Sequence, residues 1–448
     1  MNTDIIIIGA GPGGYETAVR AAKQGLQVVI IEKDKLGGIC LNAGCIPTKC
    51  LCHSAETQDV LTGYGIQPDE DQLLTAVDRK DEVVDKLRSG VAMLMKTPGI
   101  TLVEGEARFV DAHTVEVAGE GEKLQFSAPN IIIATGSVTK FLPIEGAHAK
   151  GVVTSTEILN IQTLPKHLCI IGGGVIGVEF ASIFRSFGVE VDVIEYMKEI
   201  LPPFDRDIAK RLRTSLKKRG ITFHVGAGAK AIHEGNPMTV DFEEKGGLKS
   251  IECNLVLMAV GRSANVDAVN LDDIGVEYTR QGIKVDGNMQ TNIPGVYAIG
   301  DVNGLCQLAH VATFQGYCAL EHITNAGSTE YREALKIIPS AVFTNPEAAM
   351  VGATEEQLSE AGIEYKTLKS FYRANGKSLS MDADDGLVKL LVSADGHLLG
   401  AHILGAHASD LIHELALLMR TGGKVRDVAL TVHAHPSLSE IVLAAAEE

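Results

Sequence analysis

DIIIIGAGPGGYETAVRAAKQGLQVVIIE, residues 4–32, reads as strand, glycine turn, helix and strand, with Gly9, Gly11 and Gly14 at GxGxxG spacing and Glu32 closing the second strand. In such a unit the glycines let backbone and a helix N-terminus approach a pyrophosphate, while the terminal carboxylate accepts hydrogen bonds from a ribose diol. One such run is a weak signal. Residues 168–195, LCIIGGGVIGVEFASIFRSFGVEVDVIE, repeat it: a shift of 163 residues superposes Gly9 on Gly172, Gly11 on Gly174, Gly14 on Gly177 and Glu32 on Glu195. Glycines serving only helix-to-strand packing would not explain a doubled unit with both acidic residues. The expected fold is α/β, with two Rossmann-like dinucleotide-binding domains.

Outward from the first unit stands GGICLNAGCIPTK, residues 37–49, with four residues between Cys40 and Cys45. Gly37, Gly38 and Gly44 give the backbone freedom for a local bend that would let the two thiols close a small disulfide ring. A ring that small constrains little of the unfolded chain, so stabilisation is a poor reason for it. On spacing alone, two buried thiols or half of a metal site remain open. A zinc site usually shows CxxC-type pairs in duplicate, and no second pair is present.

The apolar runs 131–134 and 256–260 end at Gly136 and Gly261 and read as buried strands closing the two nucleotide domains. GVYAIGD, 295–301, is a third such strand, placing Asp301 where the chain leaves a sheet, and the helix-like HVATFQGYCALEHI follows. Beyond Pro339 the patterns are mixed: GLVKLLVS and GHLLGAHIL read as strands, and a helix is expected around Leu411–Arg420. With no nucleotide signature, this last part reads as a C-terminal α+β interface (dimerisation) domain or a substrate module. The expected boundaries are 1–147 for the first dinucleotide-binding domain, 148–276 for the second, 277–338 for a central domain and 339–448 for the interface domain.

The whole chain of 448 residues, 45% hydrophobic, is too long for one core and contains no low-complexity run. Forty basic against 57 acidic side chains give a formal charge of −17, which argues against nucleic acid or an anionic membrane as partner. No segment approaches the length of a membrane span, and the N-terminus lacks the positive charge of a signal peptide. Eight irregularly spaced cysteines fit a reducing compartment, where a disulfide is catalytic more often than structural, so a cytoplasmic location or equivalent matrix is expected.

Two nucleotide sites and a dithiol describe an electron relay. A nicotinamide moves hydride and a thiol pair moves two electrons, so a flavin is the usual converter between them. The dithiol follows the first unit closely, which assigns FAD to that unit and the nicotinamide to the second. Glu195 would repel a 2′-phosphate, and Tyr196-Met197 lacks the arginines that would attract one, so NAD(H) is expected over NADP(H).

GAGPGG (9–14), GGICLNAGCIPTK (37–49), ATG (134–136), GGGVIGVEF (172–180), GVYAIGD (295–301) and HAHPSLSE (433–440) appear in the order seen in the pyridine nucleotide-disulfide oxidoreductases, which the chain resembles over essentially its whole length. The resemblance is to the branch that reoxidises protein-bound dihydrolipoamide with NAD+. It implies that Cys45 is the thiol next to the flavin, that Cys40 exchanges with substrate, and that Lys49 pairs with Glu179. It also implies that Thr135, Gly136 and Asp301 contact FAD, that Gly261 lies at the NAD site, and that His435, held by Glu440, is the acid/base supplied by the other chain of a homodimer. The partners implied are the lipoyl domains and acyltransferase core of 2-oxo acid dehydrogenase complexes, or the lipoyl carrier of glycine cleavage. An imidazole oriented by a carboxylate also has a reason of its own, because a dithiol attacking a disulfide must lose a proton near neutral pH.

Some residues fall outside that pattern. Cys50 and Cys52 replace residues without thiols and are expected to be buried, inert thiols. GRSAN, 261–265, departs from an arginine-rich turn. His397, His402, His407 and His413 are read as surface or packing residues, and no metal is expected at His433 and His435 because further ligands at motif spacing are lacking. Two alternatives remain: an NADH-linked reductase of another small disulfide, and a non-catalytic flavoprotein scaffold. The presence of Cys40, Cys45, His435 and Glu440 together speaks against the scaffold.

Overall fold

The computed structural model describes residues 3–118, 123–324 and 327–448. The chain forms two compact units, one from Met1–Cys50, Asp78–Lys140 and Arg262–Lys336, the other from Leu51–Val77, Phe141–Gly261 and Ile337–Glu448.

In the first unit a parallel sheet runs in the order Val296–Ala298, Asn130–Ile133, Ile5–Ile8, Val28–Glu32, Ile100–Glu104. Its inner strands IIII and NIII are apolar without alternation, the pattern of a sheet covered on both faces. Ile5, Ile7, Val28, Ile30 and Ile132 pack with the helices Pro12–Lys23 and Ala309–Ile323. Their neighbours Ile6, Ile8, Val29, Ile31, Ile131 and Ile133 turn to the opposite face, against Phe109, Val115 and Val117 of an antiparallel ribbon. The two helices approach closely because a Cβ on Gly13 would meet Ala312 Cβ at 3.2 Å and one on Gly316 would overlap the Thr17 hydroxyl. The helix expected at HVATFQGYCALEHI is thus present as Ala309–Ile323.

The second unit repeats the parallel design with Ile221–Val225, Glu190–Glu195, His167–Ile171, Leu255–Met258 and Val152–Val153 in that order. The same unit carries an antiparallel sheet ordered Ser340–Val342, Ala348–Gly352, Leu398–Leu404, Leu387–Val392, Lys366–Phe371. The helices Ala408–Arg420 and Glu440–Ala446 contribute Ile412, Leu415, Ile441 and Val442 to its core. This is the α+β module expected beyond Pro339, and the strand Leu387–Val392, second from its edge, holds a surprise. Every residue of LVKLLV is buried, Lys389 included, and the ammonium lies 2.7 and 2.8 Å from the two carboxylate oxygens of Asp205 and 2.6 Å from Glu355 Oε2. Among the described residues no helix is long and apolar enough to cross a membrane.

Candidate active site

The two GxGxxG units fold alike down to their hydrogen bonds. Gly9 and Gly172 hold φ of +106° and +114°, and a Cβ on Gly14 or Gly177 would collide with the carbonyl of Gly9 or Gly172, so only glycine serves at each place. The helices Pro12–Lys23 and Val175–Ser186 begin at Gly11 and Gly174 without a side-chain cap, leaving their first N–H groups available to a phosphate. Glu32 Oε2 accepts from Ala10 N–H at 2.7 Å and Oε1 from Asp34 N–H at 2.9 Å. Glu195 does the same at Gly173, 2.5 Å, and Met197, 2.6 Å. Each carboxylate is thereby fixed beside its glycine turn, with lone pairs left for a ribose diol. Both cradles fit a dinucleotide.

In the first unit the dithiol segment is pressed against this cradle. Gly37 N–H donates to Ala10 O at 2.9 Å, and a Cβ on Gly38 would stand 2.7 Å from Gly11 Cα. Gly37 and Gly38 have φ of +91° and +59°, which supplies the bend the sequence called for. Cys40 lies in the helix Gly38–Ala43 and Cys45 opens the helix Cys45–Gly63; their Cα atoms are 4.7 Å apart and their sulfurs are bonded. Cys40 is half-buried and Cys45 exposed. A helix N-terminus favours negative charge on Cys45, and Lys49, four residues on, shares its helical face.

Asp301 follows strand Val296–Ala298 and its Oδ2 accepts from the Ser137 hydroxyl at 2.5 Å. Thr135 and Gly136 leave the neighbouring strand at the same sheet end, braced by Asn265: Thr135 Oγ1 donates to Asn265 O at 3.1 Å and Asn265 N–H to Gly136 O at 2.9 Å. The first unit therefore gathers Gly9, Gly11, Gly14, Glu32, Cys40, Cys45, Lys49, Thr135, Gly136 and Asp301.

The second unit holds Gly172, Gly174, Gly177, Glu179, Glu195, Gly261, His435 and Glu440. Glu179 is buried, with Oε1 accepting from Phe343 N–H at 3.0 Å. The two histidines of HAHP have different fates. His433 is 5% exposed and bonded to Glu414 at 3.0 Å and to Thr431 O at 2.8 Å. His435 is 81% exposed, its Nδ1 2.9 Å from Glu440 Oε1, while Glu440 Oε2 accepts from Ser437 N–H at 2.8 Å. The Ser437 N–H and then His435 hold the Glu440 carboxyl below its ordinary range, so it is charged at neutral pH. Nδ1 is thus committed to the carboxylate and Nε2 is the nitrogen left to meet a substrate.

Cys50 and Cys52 are buried, as expected, and burial pushes the Cys50 thiol up. Arg262 is a residue the sequence reading passed over: its Nε and Nη2 donate to Ser137 Oγ and O, each at 2.7 Å. Its only signal was its place in the atypical GRSAN turn, directly after Gly261. His167 with Glu190 and Asp192 is a grouping among the described residues that could hold a metal, but the His167 imidazole is already bonded to Asp192 at 2.7 Å.

A doubled dinucleotide fold carrying a dithiol defines a pyridine nucleotide-disulphide oxidoreductase, and the chain belongs to that family: residues 3–316 match it and 338–446 match its dimerisation domain. It is an enzyme of the dihydrolipoyl dehydrogenase type, working with FAD and NAD(H). It is 42% identical over 456 residues to dihydrolipoyl dehydrogenase of Bacillus subtilis, covering 100% of this chain and 96% of that one. The dihydrolipoyl dehydrogenase of Geobacillus stearothermophilus is 40% identical over 455 residues, with the same coverage. Among solved structures, the HOCl-induced flavoprotein disulfide reductase RclA from Escherichia coli has a TM-score of 0.89 at 31% identity, over 99% of both chains.

Proposed function

We propose that the chain oxidises protein-bound dihydrolipoamide to lipoamide and delivers the electron pair to NAD+, with FAD in the first unit and NAD in the second. The observation that carries this reading is the Cys40–Cys45 disulfide held against the first glycine turn by Gly37 and Gly38. His435 Nε2 takes the proton from one thiol of dihydrolipoamide, and the thiolate attacks Cys40 Sγ. The S–S bond breaks with its electron pair on Cys45, where the helix N-terminus and Lys49 favour a thiolate. The second substrate thiol then attacks the mixed disulfide, releasing lipoamide and leaving two reduced cysteines. When bound, FAD supplies the two-electron chemistry that links such a thiol pair to a nicotinamide. In sum, dihydrolipoamide and NAD+ become lipoamide, NADH and a proton.

The reading extends to a homodimer in which His435 and Glu440 serve the dithiol of the other chain, to a Lys49–Glu179 pair, and to the domain boundaries at 147, 276 and 338. The partners are lipoyl domains and an acyltransferase core of a 2-oxo acid dehydrogenase complex, or a glycine-cleavage lipoyl carrier, in a cytoplasmic or equivalent reducing compartment. Reduction of another small disulfide by NADH has less support, because the Bacillus subtilis and Geobacillus stearothermophilus relatives at 42% and 40% identity carry the dehydrogenase name while RclA stands at 31%. The test is a comparison of NAD+ reduction by dihydrolipoamide with NADH oxidation by a panel of small disulfides. Turnover with a panel disulfide at higher kcat/KM than dihydrolipoamide would replace the reading.

A further inference from the structure

Asp301, Ser137 and Arg262 form a chain of three groups within the first unit, and the guanidinium at its end fixes the direction of every bond. Strand Ser137–Thr139 pairs antiparallel with Arg262–Ala264, Ala264 opposite Ser137 and Arg262 opposite Thr139. From there the Arg262 guanidinium turns back on Ser137, Nε to Oγ and Nη2 to the carbonyl, both at 2.7 Å. Two donors of one rigid fork thus clamp two acceptors of one residue. A guanidinium can only donate, so the hydroxyl must accept from it, and its single proton is left for Asp301 Oδ2, 2.5 Å away. Asp301 Oδ1 remains for a ligand.

The surroundings of the chain of groups are fixed as well. Gln315 Oε1 accepts from Gly300 N–H at 2.7 Å and from Asn303 Nδ2 at 2.9 Å, tying the backbone before Asp301 to the side chain of Asn303 after it. Asn265 braces Thr135 and Gly136, the two residues before the serine. Burial disfavours the Arg262 charge, and the Asp301 carboxylate works against that loss. A carboxylate facing a dinucleotide with two phosphates would repel them unless a cation offset it, and Arg262, reached through the serine, is that cation.

We propose that Ser137 and Arg262 are positioning residues for the cofactor: they preset the Asp301 carboxylate and offset its charge, the serine hydroxyl relaying between guanidinium and carboxylate. The proposal rests on the reading of Asp301 as an FAD contact. The test uses the purified holoenzyme and follows FAD release by the rise in free-flavin fluorescence, with the flavin midpoint potential as second readout. Ser137→Ala and Arg262→Gln should each speed FAD release roughly 10- to 100-fold, the equivalent of one hydrogen bond to a charged group. Ser137→Thr, which keeps the hydroxyl, should stay within about threefold of wild type, and Arg262→Lys, which keeps charge without the fork, should fall between. In an Asp301→Asn background Ser137→Ala should add less than about threefold, because the relay has lost its end point.

If Ser137→Ala and Arg262→Gln leave release and potential unchanged while Asp301→Asn alters them, the relay is wrong and the Asp301 contact stands. If Asp301→Asn itself changes neither, the contact reading fails first. A full Ser137→Ala effect in the Asp301→Asn background would make the serine a packing residue and overturn the proposal. Should Ser137→Ala fail to fold, the Arg262→Lys and Arg262→Gln pair decides, since equal effects from both would contradict a role for the forked geometry.

Discussion

Glu440→Gln replaces one atom and is expected to disable the thiol half of the reaction. Glu440 uses both oxygens, Oε1 toward His435 Nδ1 at 2.9 Å and Oε2 toward Ser437 N–H at 2.8 Å. A glutamine has one oxygen, and the Ser437 N–H, which can only donate, claims it. The amide NH2 then faces Nδ1, which must become an acceptor, so the ring proton moves to Nε2. The nitrogen that should take the thiol proton is already protonated, and the general-base contribution, roughly 10² to 10⁴ in rate, is lost. The assay is rapid reduction of the oxidised enzyme by dihydrolipoamide, set beside NADH oxidation by an artificial electron acceptor that bypasses the thiols. The first should fall by about that factor while the second stays within about twofold of wild type. Protonation of the Glu440 carboxyl does not confuse the result: its pKa is depressed, so the pair persists above the ordinary glutamate value of 4.5 and is lost only as pH falls below it. A Glu440→Gln enzyme retaining a third or more of wild-type dihydrolipoamide reduction would refute the tautomer argument.

Coenzyme choice should turn on Glu195. Replacing it with serine and adding arginine at Tyr196 is expected to shift the NADP-to-NAD ratio of kcat/KM by at least about tenfold, with KM rising for both because Gly173 and Met197 lose their acceptor; an unchanged ratio would count against the reading. Cys45→Ser chains refolded together with His435→Ala chains should regain up to roughly a quarter of wild-type activity if each site is built across two chains, and none if each chain builds its own. Lys389→Met should cost about 3–5 kcal/mol in urea unfolding by stranding buried Asp205, with much of it regained in the Lys389→Met/Asp205→Leu double variant; a loss under about 1 kcal/mol would show that the pair matters little.

Features that require a particular local backbone were legible in the sequence. Gly9, Gly14, Gly172 and Gly177 stand where any Cβ would collide or φ is positive, and their spacing repeats because the same turn is built twice. The bend that lets Cys40 and Cys45 meet was readable for the same reason, since Gly37 and Gly38 announce it, while spacing alone left the bond itself open. Links between distant residues were not. Ser137 and Asp301 are 164 positions apart and Asp205 and Lys389 are 184 apart, and a single polar residue in an apolar strand has no periodicity to betray its partner. GLVKLLVS reads as a strand; only the packed fold shows two carboxylates meeting its lysine in the interior. By residue type alone His433 and His435 are equivalent in HAHP, and only the resemblance singled out His435; the fold turns His433 inward to Glu414 and leaves His435 exposed beside Glu440.

The central claim is that electrons from dihydrolipoamide enter at Cys40 and Cys45 and leave to NAD+. It is tested most directly by trapping thiols in the oxidised holoenzyme before dihydrolipoamide, after it, and after subsequent NAD+, then mapping the alkylated cysteines by mass spectrometry. The account predicts two new modified residues after dihydrolipoamide, Cys40 and Cys45, and their disappearance once NAD+ is added, with Cys50, Cys52, Cys169, Cys253, Cys306 and Cys318 unchanged throughout. NADH formation without any opening of the Cys40–Cys45 disulfide, or opening that NAD+ does not reverse, would contradict it.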